Sequence, residues 1–365
     1  MKKSQIKVPC SQVYLDDEIR EKVLAVLNSG KYILNDNCRK FEEEFANFIG
    51  RRYAALVNSA TSAIQLSLMA LGVESGDEII VPSLTAFPTV EPIFHVGAKP
   101  VFIDINDEYL IDHELIEEKI NKKTKGIIPV HLYGNSAKMD KILSLAEKYD
   151  LFVLEDASQA HGAEFRGQKV GSFGNVGCFS FYPSKNLTFC GDGGIMVTND
   201  EKLVEKVKML RDHGRKDKYL HELIGFNMRA NEIQAAFGLI QLKHLPEFTI
   251  RRREAAQLYN QLLKNLSIKL PTESDHVHHV YHLYVIQLDN RDKVVQFLKE
   301  KDICTGIHYP VPCHLQPAVV EIMGKVSLPK TEEYCRNILS LPIFPSITNE
   351  QINNVAEQLI QAIKQ

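Results

Sequence analysis

The stretch that decides the fold is FSFYPSKNL at residues 179–187, which comes directly after the apolar run VGC. An earlier stretch, EDASQAH at residues 155–161, follows a second apolar run, LFVL. A short apolar run bounded by polar residues is typical of a buried strand, so both stretches begin where a strand ends. In open α/β sheets, ligands bind at the carboxyl ends of the strands. The sequence therefore predicts a site at which Asp156, Ser180 and Lys185 meet.

These three side chains suit one particular chemistry. A lysine beside apolar or aromatic groups loses its proton easily and can form a Schiff base with a carbonyl compound. When that carbonyl belongs to pyridoxal phosphate, an aspartate facing the pyridine nitrogen is the usual partner of the lysine. Most lysines that follow a strand are simply exposed to solvent, and Lys185 taken alone favours that interpretation. The rest of the sequence decides between the two.

A further stretch, NSATSA at residues 58–63, joins a predicted strand at 53–57 to a predicted helix that extends to Leu71. Unpaired N–H groups and the helix dipole make such a helix N-terminus a binding site for a phosphate. Asn, Ser and Thr also cap ordinary helices at this position. This stretch alone supports both interpretations equally.

Length and composition limit the class of protein. The chain has 365 residues, which predicts two domains, and its 44% hydrophobic and 24% charged residues are typical of a soluble globular protein. The net charge of -3 gives no indication of nucleic-acid or acidic-membrane binding. No apolar run approaches the length of a membrane span, and no signal peptide is visible, so a cytoplasmic location is expected.

Cysteines and histidines give no sign of a metal site. The seven cysteines are scattered and contain no CxxC pair, which predicts reduced thiols rather than disulfides or zinc ligands. Four histidines occur close together at residues 276–282. Since no cysteine or carboxylate set completes a ligand sphere, a polar loop is the expected structure there.

The order of elements predicts an α/β fold. Strands alternate with helices over the first 200 residues or so, which favours a mostly parallel sheet covered by helices on both faces. A helix capped by Asn231 is expected to end at Pro246, and an α+β pattern follows. We therefore predict a large domain at residues 1–246 and a small C-terminal domain at residues 247–365. Packing of the N-terminal helices on the small domain is left open.

Further blocks along the chain show a family resemblance. They are GKYIL (30–34), NSAT (58–61), GDEIIVPS (76–83), PVHLYG (129–134), GDGG (191–194), GFNMR (225–229) and GIHYP (306–310). Together with the first two stretches, their order and spacing resemble the DegT/DnrJ/StrS sugar aminotransferases, which are fold-type-I pyridoxal-phosphate enzymes. The resemblance covers roughly residues 19–359. It implies an aspartate-aminotransferase-like fold, with a mostly parallel seven-stranded sheet between helices and a small α+β domain.

The resemblance also implies roles for the residues at the sheet edge. Lys185 would hold the cofactor covalently and later move protons, as the catalytic residue. Asp156 would pair with the pyridine nitrogen and keep it protonated. Gln159 would reach the cofactor O3′ or lie over its ring. Ser180 would bind the cofactor phosphate together with Thr61 and the residue before it.

Other implied contacts lie further away in the sequence. Asn227 would reach the phosphate bound by a neighbouring subunit, which implies a homodimer with active sites at the subunit interface. Tyr32, Phe87, His308 and Tyr309 would contact the sugar substrate. No metal is implied.

Two positions depart from the family pattern. Ala60 stands where many members have a glycine in the phosphate-binding turn, and alanine resists a positive φ. Ala86 stands where many members have an aromatic residue that stacks on the pyridine ring, and Phe87 is next to it. The alanine at position 60 leaves the geometry of the turn open. The alanine at position 86 leaves open which group covers the ring.

The function implied by the resemblance is amino transfer from glutamate or glutamine to a keto group of a nucleotide-linked (deoxy)sugar, for amino sugars of a cell-surface polysaccharide or a secondary metabolite. The alternatives are an amino-cyclitol aminotransferase, a sugar dehydratase of the same fold, a non-catalytic regulator, and an α/β binding protein that lacks a cofactor. The related dehydratases carry histidine in place of Lys185. A regulator has no need of Lys185, Asp156 and Ser180 together.

Overall fold

The computed structural model describes residues 6–274 and 276–364, and within them the chain forms eleven α-helices and twelve strands. The helices are α1 (Asp17–Ser29), α2 (Asp36–Ile49), α3 (Ala60–Ala70), α4 (Phe87–His95), α5 (Met139–Tyr149), α6 (Glu201–Leu210), α7 (Glu232–Leu263), α8 (Arg291–Glu300), α9 (Pro317–Met323), α10 (Pro329–Asn337) and α11 (Asn349–Ile363). The strands are β1 (Tyr53–Val57), β2 (Glu78–Pro82), β3 (Lys99–Ile103), β4 (Thr124–Ile127), β5 (Phe152–Asp156), β6 (Glu164–Phe165), β7 (Gln168–Lys169), β8 (Val176–Ser180), β9 (Gly194–Thr198), β10 (Val277–His278), β11 (Tyr284–Gln287) and β12 (Ile338–Leu341).

Seven of these strands form the central sheet, in the order β1-β9-β8-β5-β4-β2-β3. β9 runs antiparallel to both of its neighbours, and the other neighbouring pairs are parallel. β8 and β9 are buried along their whole length because helices cover both faces of the sheet. The predicted α/β class and mostly parallel seven-stranded sheet are confirmed.

Aromatic packing fixes one helix against the sheet. Phe41 and Phe45 lie on the buried face of α2, and both are completely buried. The Phe45 ring meets those of Phe179 and Phe181 edge-on, at centroid distances of 5.0 and 5.4 Å. Edge-to-face pairs add to the free energy gained by burying the rings. This packing holds the carboxyl end of β8 rigidly. Ser180 is the last residue of that strand, and Lys185 follows in the next turn.

The long helix α7 corrects one prediction. Pro246 was expected to end a helix, but it lies inside α7, which continues to Leu263. Leu242 in its first half packs in the core beneath the large sheet, and Tyr259 in its second half packs in the core around the strands β11 and β12. Burial on both sides of the proline stabilises a continuous helix, which therefore belongs to both cores. The proposed division between residues 246 and 247 falls within this helix and stays a prediction.

The N-terminal segment joins the second core. Val8 pairs in parallel with Ile303 and is buried there, whereas Ile19 of α1 packs against the first half of α7. Cys10 and Cys304 form a disulfide across 294 residues of sequence. The prediction of reduced thiols is therefore wrong for this pair. The described cysteines outside it are free thiols: Cys38, Cys178, Cys190, Cys313 and Cys335.

Some local structure is irregular. Residues 113–115 and 117–119 form two short 3₁₀ turns. Gly306 forms a single antiparallel bridge with Ser340. The histidine run at 276–282 is not simply a polar loop, because part of it forms β10, while His279 and His282 are buried.

Candidate active site

A cavity of about 300 Å³ lies at the carboxyl edge of the central sheet. β5 and β8 end at it as neighbouring parallel strands, with Asp156 paired opposite Cys178. The cavity wall consists of Ser59, Ala60, Thr61, Ile64, Thr85, Ala86, Pro88, Thr89, Val130, Asp156, Ser158, Gln159, Ser180, Tyr182, Ser184, Lys185, Asp192, Gly193 and Tyr309. The sheet edge thus gathers an amine, carboxylates, hydroxyls and a helix N-terminus around one space.

Lys185 projects into this cavity from a turn that follows β8. Its backbone N–H donates a 2.8 Å hydrogen bond to the carbonyl of Tyr182, which closes the turn. Burial lowers the pKa of Lys185 to about 8, and the nearby Asp156 carboxylate opposes part of that change. An amine with this pKa is partly neutral near neutral pH, so it can act as a nucleophile toward a carbonyl group.

Asp156 is the last residue of β5 and is only 4% exposed. Its Oδ1 accepts a 3.0 Å hydrogen bond from the backbone N–H of Ser158. Its Oδ2 accepts a 2.6 Å hydrogen bond from the Thr89 hydroxyl. Because both oxygens have partners, the carboxylate is held in a fixed orientation with one edge toward the cavity.

The N-terminus of α3 forms an anion-binding end of the cavity. Ser59 caps the helix, since its hydroxyl accepts a 3.1 Å hydrogen bond from the N–H of Ser62. The N–H groups of Ala60 and Thr61 belong to the first turn, where the helix itself provides no acceptor. Ser180, at the end of β8, adds a hydroxyl to the same wall. This arrangement suits a phosphate group.

Glycine is required beside this helix, but not within it. A Cβ on Gly194 of β9 would lie 2.2 Å from the Ser59 carbonyl carbon and 2.3 Å from the Ala60 nitrogen, so the strand reaches the helix N-terminus only without a side chain. Ala60 is the first residue of α3 and is not among the residues with positive φ. The alanine therefore fits the backbone of this turn without strain, and its role in phosphate binding stays a prediction.

The departure at Ala86 leaves an aliphatic wall. Ala86 and Pro88 line the cavity, whereas the half-buried Phe87 packs against the core formed with α3 and β2. Phe87 therefore does not replace the missing aromatic residue at this wall. The aliphatic groups of the wall include Ile64, Val130 and these two small residues, and its aromatic rings are those of Tyr182 and Tyr309.

Gln159 connects the cavity to two other segments, one around Tyr133 and one around Tyr309. Its Oε1 accepts a 2.8 Å hydrogen bond from the N–H of Tyr133, and its Nε2 donates a 3.1 Å hydrogen bond to the hydroxyl of Tyr309. The Tyr133 hydroxyl donates to the carbonyl of His308. Both amide atoms of Gln159 thus have a protein partner, and Tyr309 lines the wall.

The structure brings most of the predicted site residues together, but not all of them. The predicted site residues that line the cavity are Lys185, Asp156, Gln159, Ser180, Ala60, Thr61 and Tyr309.

Four other predicted site residues lie away from the wall. Tyr32 is exposed, and its hydroxyl donates to the carbonyl of Leu27. Asn227 accepts a 3.1 Å hydrogen bond from Arg229 on the surface. His308 bonds to Ser340, and Phe87 packs in the core.

Sequence reasoning missed several residues of the wall. Thr85 and Thr89 follow β2 at the same sheet edge, and Thr89 bonds directly to Asp156. Tyr133 is not part of the wall but bonds to Gln159 behind it, and its position in the PVHLYG block after a strand was the available signal. Asp192 lines the cavity beside Gly193. Among the described residues of the wall, Lys185 is the only cation, whereas Asp156 and Asp192 are both acidic.

Comparisons with known proteins agree with this geometry. The model of the DegT/DnrJ/EryC1/StrS aminotransferase family matches residues 13–360. A protein of Acidithiobacillus ferrooxidans named UDP-N-acetyl-3-dehydro-alpha-D-glucosamine 3-aminotransferase is 42% identical over 343 residues, which cover 94% of this chain and 93% of that protein. A protein of Geobacillus stearothermophilus named pleiotropic regulatory protein is 40% identical over 352 residues, covering 95% of each chain.

A solved structure shows the same fold. The crystal structure of DesV from S. venezuelae, in complex with a ketimine intermediate, superposes with a TM-score of 0.95 at 39% identity. The alignment covers 98% of this chain and 99% of DesV. The implied fold, cofactor and enzyme class are confirmed, and the chain belongs to the DegT/DnrJ/EryC1/StrS family as a pyridoxal-phosphate-dependent aminotransferase.

Proposed function

We propose that this enzyme transfers an amino group from glutamate or glutamine to a keto group of a nucleotide-linked (deoxy)sugar, in the biosynthesis of amino sugars. The observation that carries the proposal is that one cavity holds the Lys185 amine, the Asp156 carboxylate and the anion-binding N-terminus of α3. The substrate class is supported by the names of relatives, which include aminotransferases of UDP- and dTDP-linked sugars.

Each side chain has a distinct part in this proposal. Pyridoxal phosphate, when bound, supplies an electron sink for the carbon that carries the amino group. Lys185 would hold the cofactor through Nζ and would supply the amine that takes up and releases protons. Asp156 would face the ring nitrogen. Ser180, with the N–H groups of Ala60 and Thr61, would hold the phosphate.

Gln159 and Tyr309 complete the wall around the ring and the sugar. The sequence implied that Gln159 would reach the cofactor O3′ or lie over its ring. Because both amide atoms of Gln159 already have protein partners, we propose that it acts over the ring and supports Tyr309. Tyr309 then offers a hydroxyl to the ligand. His308, Phe87 and Tyr32, which lie away from this wall, stay predictions as substrate contacts.

We also propose a homodimer whose active sites lie at the subunit interface. The cofactor phosphate and the diphosphate of a nucleotide bring several negative charges, but the wall of this chain offers only Lys185 as a cation among the described residues. The segment at residues 215–229 combines basic side chains with strongly exposed apolar ones, such as Tyr219 (80% exposed) and Ile224 (93% exposed). Covering these apolar groups with a second copy would remove them from water. Asn227 of that segment would then face the phosphate held by the partner.

The location that we propose is the cytoplasm. No described helix combines the length and apolar character needed to span a bilayer.

Reconstitution with pyridoxal phosphate tests the function. The protein should become yellow, and a panel of nucleotide ketosugars with glutamate or glutamine should yield an amino sugar identified by mass. Lys185→Ala should abolish both the visible absorbance band and the transfer. Asp156→Asn should keep the cofactor but lose most of the activity. A wild-type protein that never binds pyridoxal phosphate would contradict the assignment.

The same assay separates the alternatives. A dehydratase would give a product that has lost a hydroxyl group and gained no nitrogen. An amino-cyclitol aminotransferase would transfer nitrogen to a keto-cyclitol and to no nucleotide sugar. A regulator would bind pyridoxal phosphate or the sugar without turnover.

A further inference from the structure

Two buried threonines form a hydrogen-bonded chain that ends on Asp156. Thr89 lies in the first turn of α4 and is 1% exposed, and its hydroxyl is 2.6 Å from Asp156 Oδ2. Thr85 precedes α4 and is 2% exposed, and its hydroxyl is 2.8 Å from that of Thr89. Water has little access to either hydroxyl, so these contacts are the ones that determine the environment of Oδ2.

The direction of these two hydrogen bonds follows from the number of hydrogens that each group can donate. An ionised carboxylate only accepts, and a hydroxyl has one hydrogen to donate. Thr89 therefore uses its hydrogen on Asp156, and its oxygen accepts the hydrogen of Thr85. Hydrogen bonds in such a chain polarise one another, so the Thr89 bond is strengthened by Thr85. The N–H of Ser158 donates to the other oxygen, Oδ1.

Hydrogen bonds from Cys313, which lies outside α4, fix the position of Thr85. The thiol of Cys313 donates to the backbone carbonyl of Thr85 at 3.4 Å. The N–H of Cys313 donates a 3.0 Å hydrogen bond to the carbonyl of Ser83. The loop between β2 and α4 is thereby held between the sheet and the segment around Cys313. Thr85 can direct its hydrogen at Thr89 because the loop has little freedom to move.

We propose that Thr89, supported by Thr85, is a positioning residue that holds the Asp156 carboxylate in place and aimed at the cavity. This inference rests on the proposed pairing of Asp156 with the ring nitrogen of the cofactor. A carboxylate that accepts a charge-assisted hydrogen bond on its outer oxygen is stabilised in the ionised form. A ring nitrogen paired with Asp156 would then keep its proton. Loss of the Thr89 hydrogen bond would make the carboxylate a stronger competitor for that proton.

Three substitutions test the proposal in the full-length protein. Thr89→Val keeps the branched shape but removes the hydroxyl, whereas Thr89→Ser keeps the hydroxyl but removes the methyl group. Thr85→Val removes only the outer hydrogen bond. The first readout is the ¹⁵N NMR shift of ring-¹⁵N-labelled pyridoxal phosphate bound to each protein. The second is the single-turnover rate with L-glutamate or L-glutamine.

We expect Thr89→Val to move the ¹⁵N shift toward that of an unprotonated ring and to slow the reaction about 10- to 100-fold. The KM for the amino donor should change much less, because the hydroxyls of both threonines are already directed along the hydrogen bonds that end on Asp156. Thr89→Ser should restore the wild-type shift and most of the rate. Thr85→Val should have an effect of the same sign, about 3- to 10-fold on the rate.

Unchanged ¹⁵N shift and rate in Thr89→Val would overturn the proposal, as would a Thr89→Ser protein as impaired as Thr89→Val. If Thr89→Val fails to fold, Thr85→Val carries the same test, and an unchanged shift in that protein has the same meaning. Failure of the proposed function itself is distinguishable, because the wild-type protein would then bind no labelled cofactor.

Discussion

The amide nitrogen Nε2 of Gln159 lies 3.1 Å from the Tyr309 hydroxyl and donates a hydrogen bond to it. The orientation of the amide is determined by its oxygen, which already accepts from the N–H of Tyr133. The Tyr309 oxygen is therefore an acceptor toward the protein, and its own hydrogen is available to a ligand in the cavity. Burial raises the pKa of Tyr309, which keeps the hydroxyl protonated as a donor.

Replacing Tyr309 tests this relationship. Tyr309→Phe leaves Nε2 of Gln159 buried without its acceptor, so the free energy of unfolding should fall by about 1–3 kcal/mol. Urea denaturation measures the change. Tyr182→Phe is the matched control, since Tyr182 lines the same cavity but is 54% exposed, and its loss should cost less than about 0.5 kcal/mol. Equal effects of the two substitutions would show that the hydrogen bond contributes nothing.

The lowered pKa of Lys185 predicts how cofactor attachment depends on pH. Only the neutral amine attacks a carbonyl, so the rate of covalent attachment to the apoprotein should rise with pH and level off above about 8. Borohydride reduction at each pH, followed by mass spectrometry, measures the attached fraction. An amine with an ordinary lysine pKa would instead give a rate that still rises at pH 10. Lys185→Ala provides the background.

The anion-binding end of the cavity predicts a selective effect of Ser180→Ala. Removing a hydroxyl that bonds a phosphate should weaken binding of pyridoxal phosphate about 10-fold or more. Binding of pyridoxal, which has no phosphate, should be unchanged in the same variant. Equilibrium titrations of both compounds give the comparison. An equal loss for the two would mean that Ser180 acts on the shape of the cavity and not on the phosphate.

The sequence pattern predicted part of the site at the sheet edge. Asp156 and Ser180 each end an apolar run, and neighbouring parallel strands place such ends together, so the meeting of these two side chains followed from the pattern. Pro246 was misjudged because the local rule for proline gave way to burial of α7 on both of its sides. The Cys10–Cys304 disulfide depends on a contact between distant parts of the chain, which spacing cannot reveal.

The hydrogen-bond partners of the side chains could not be predicted from the sequence, for a different reason. Thr89 gives no signal in the sequence, since nothing in its neighbours shows that its hydroxyl points at Asp156. The same holds for Tyr133 and Gln159, whose hydrogen bond requires the loops after β4 and β5 to be side by side. Strand ends can be predicted from periodicity, but the direction of each donor is set only by the folded backbone.

Subunit complementation tests the proposed dimer. Asn227→Asp would place a carboxylate beside the partner's bound phosphate and should abolish activity, as Lys185→Ala does. If Asn227 serves the neighbouring subunit, a mixed dimer of these two variants contains one site with both residues intact. After unfolding and refolding an equimolar mixture, activity should return to about one quarter of the wild-type value, because half of the dimers are mixed and each has one working site.

A mixture of the Lys185→Ala and Asp156→Asn variants is the control. Both residues lie on the wall of one chain, so every site in that mixture keeps a defect and no activity should return. Absence of recovery in the first mixture would place Asn227 in the service of its own chain, or outside the site.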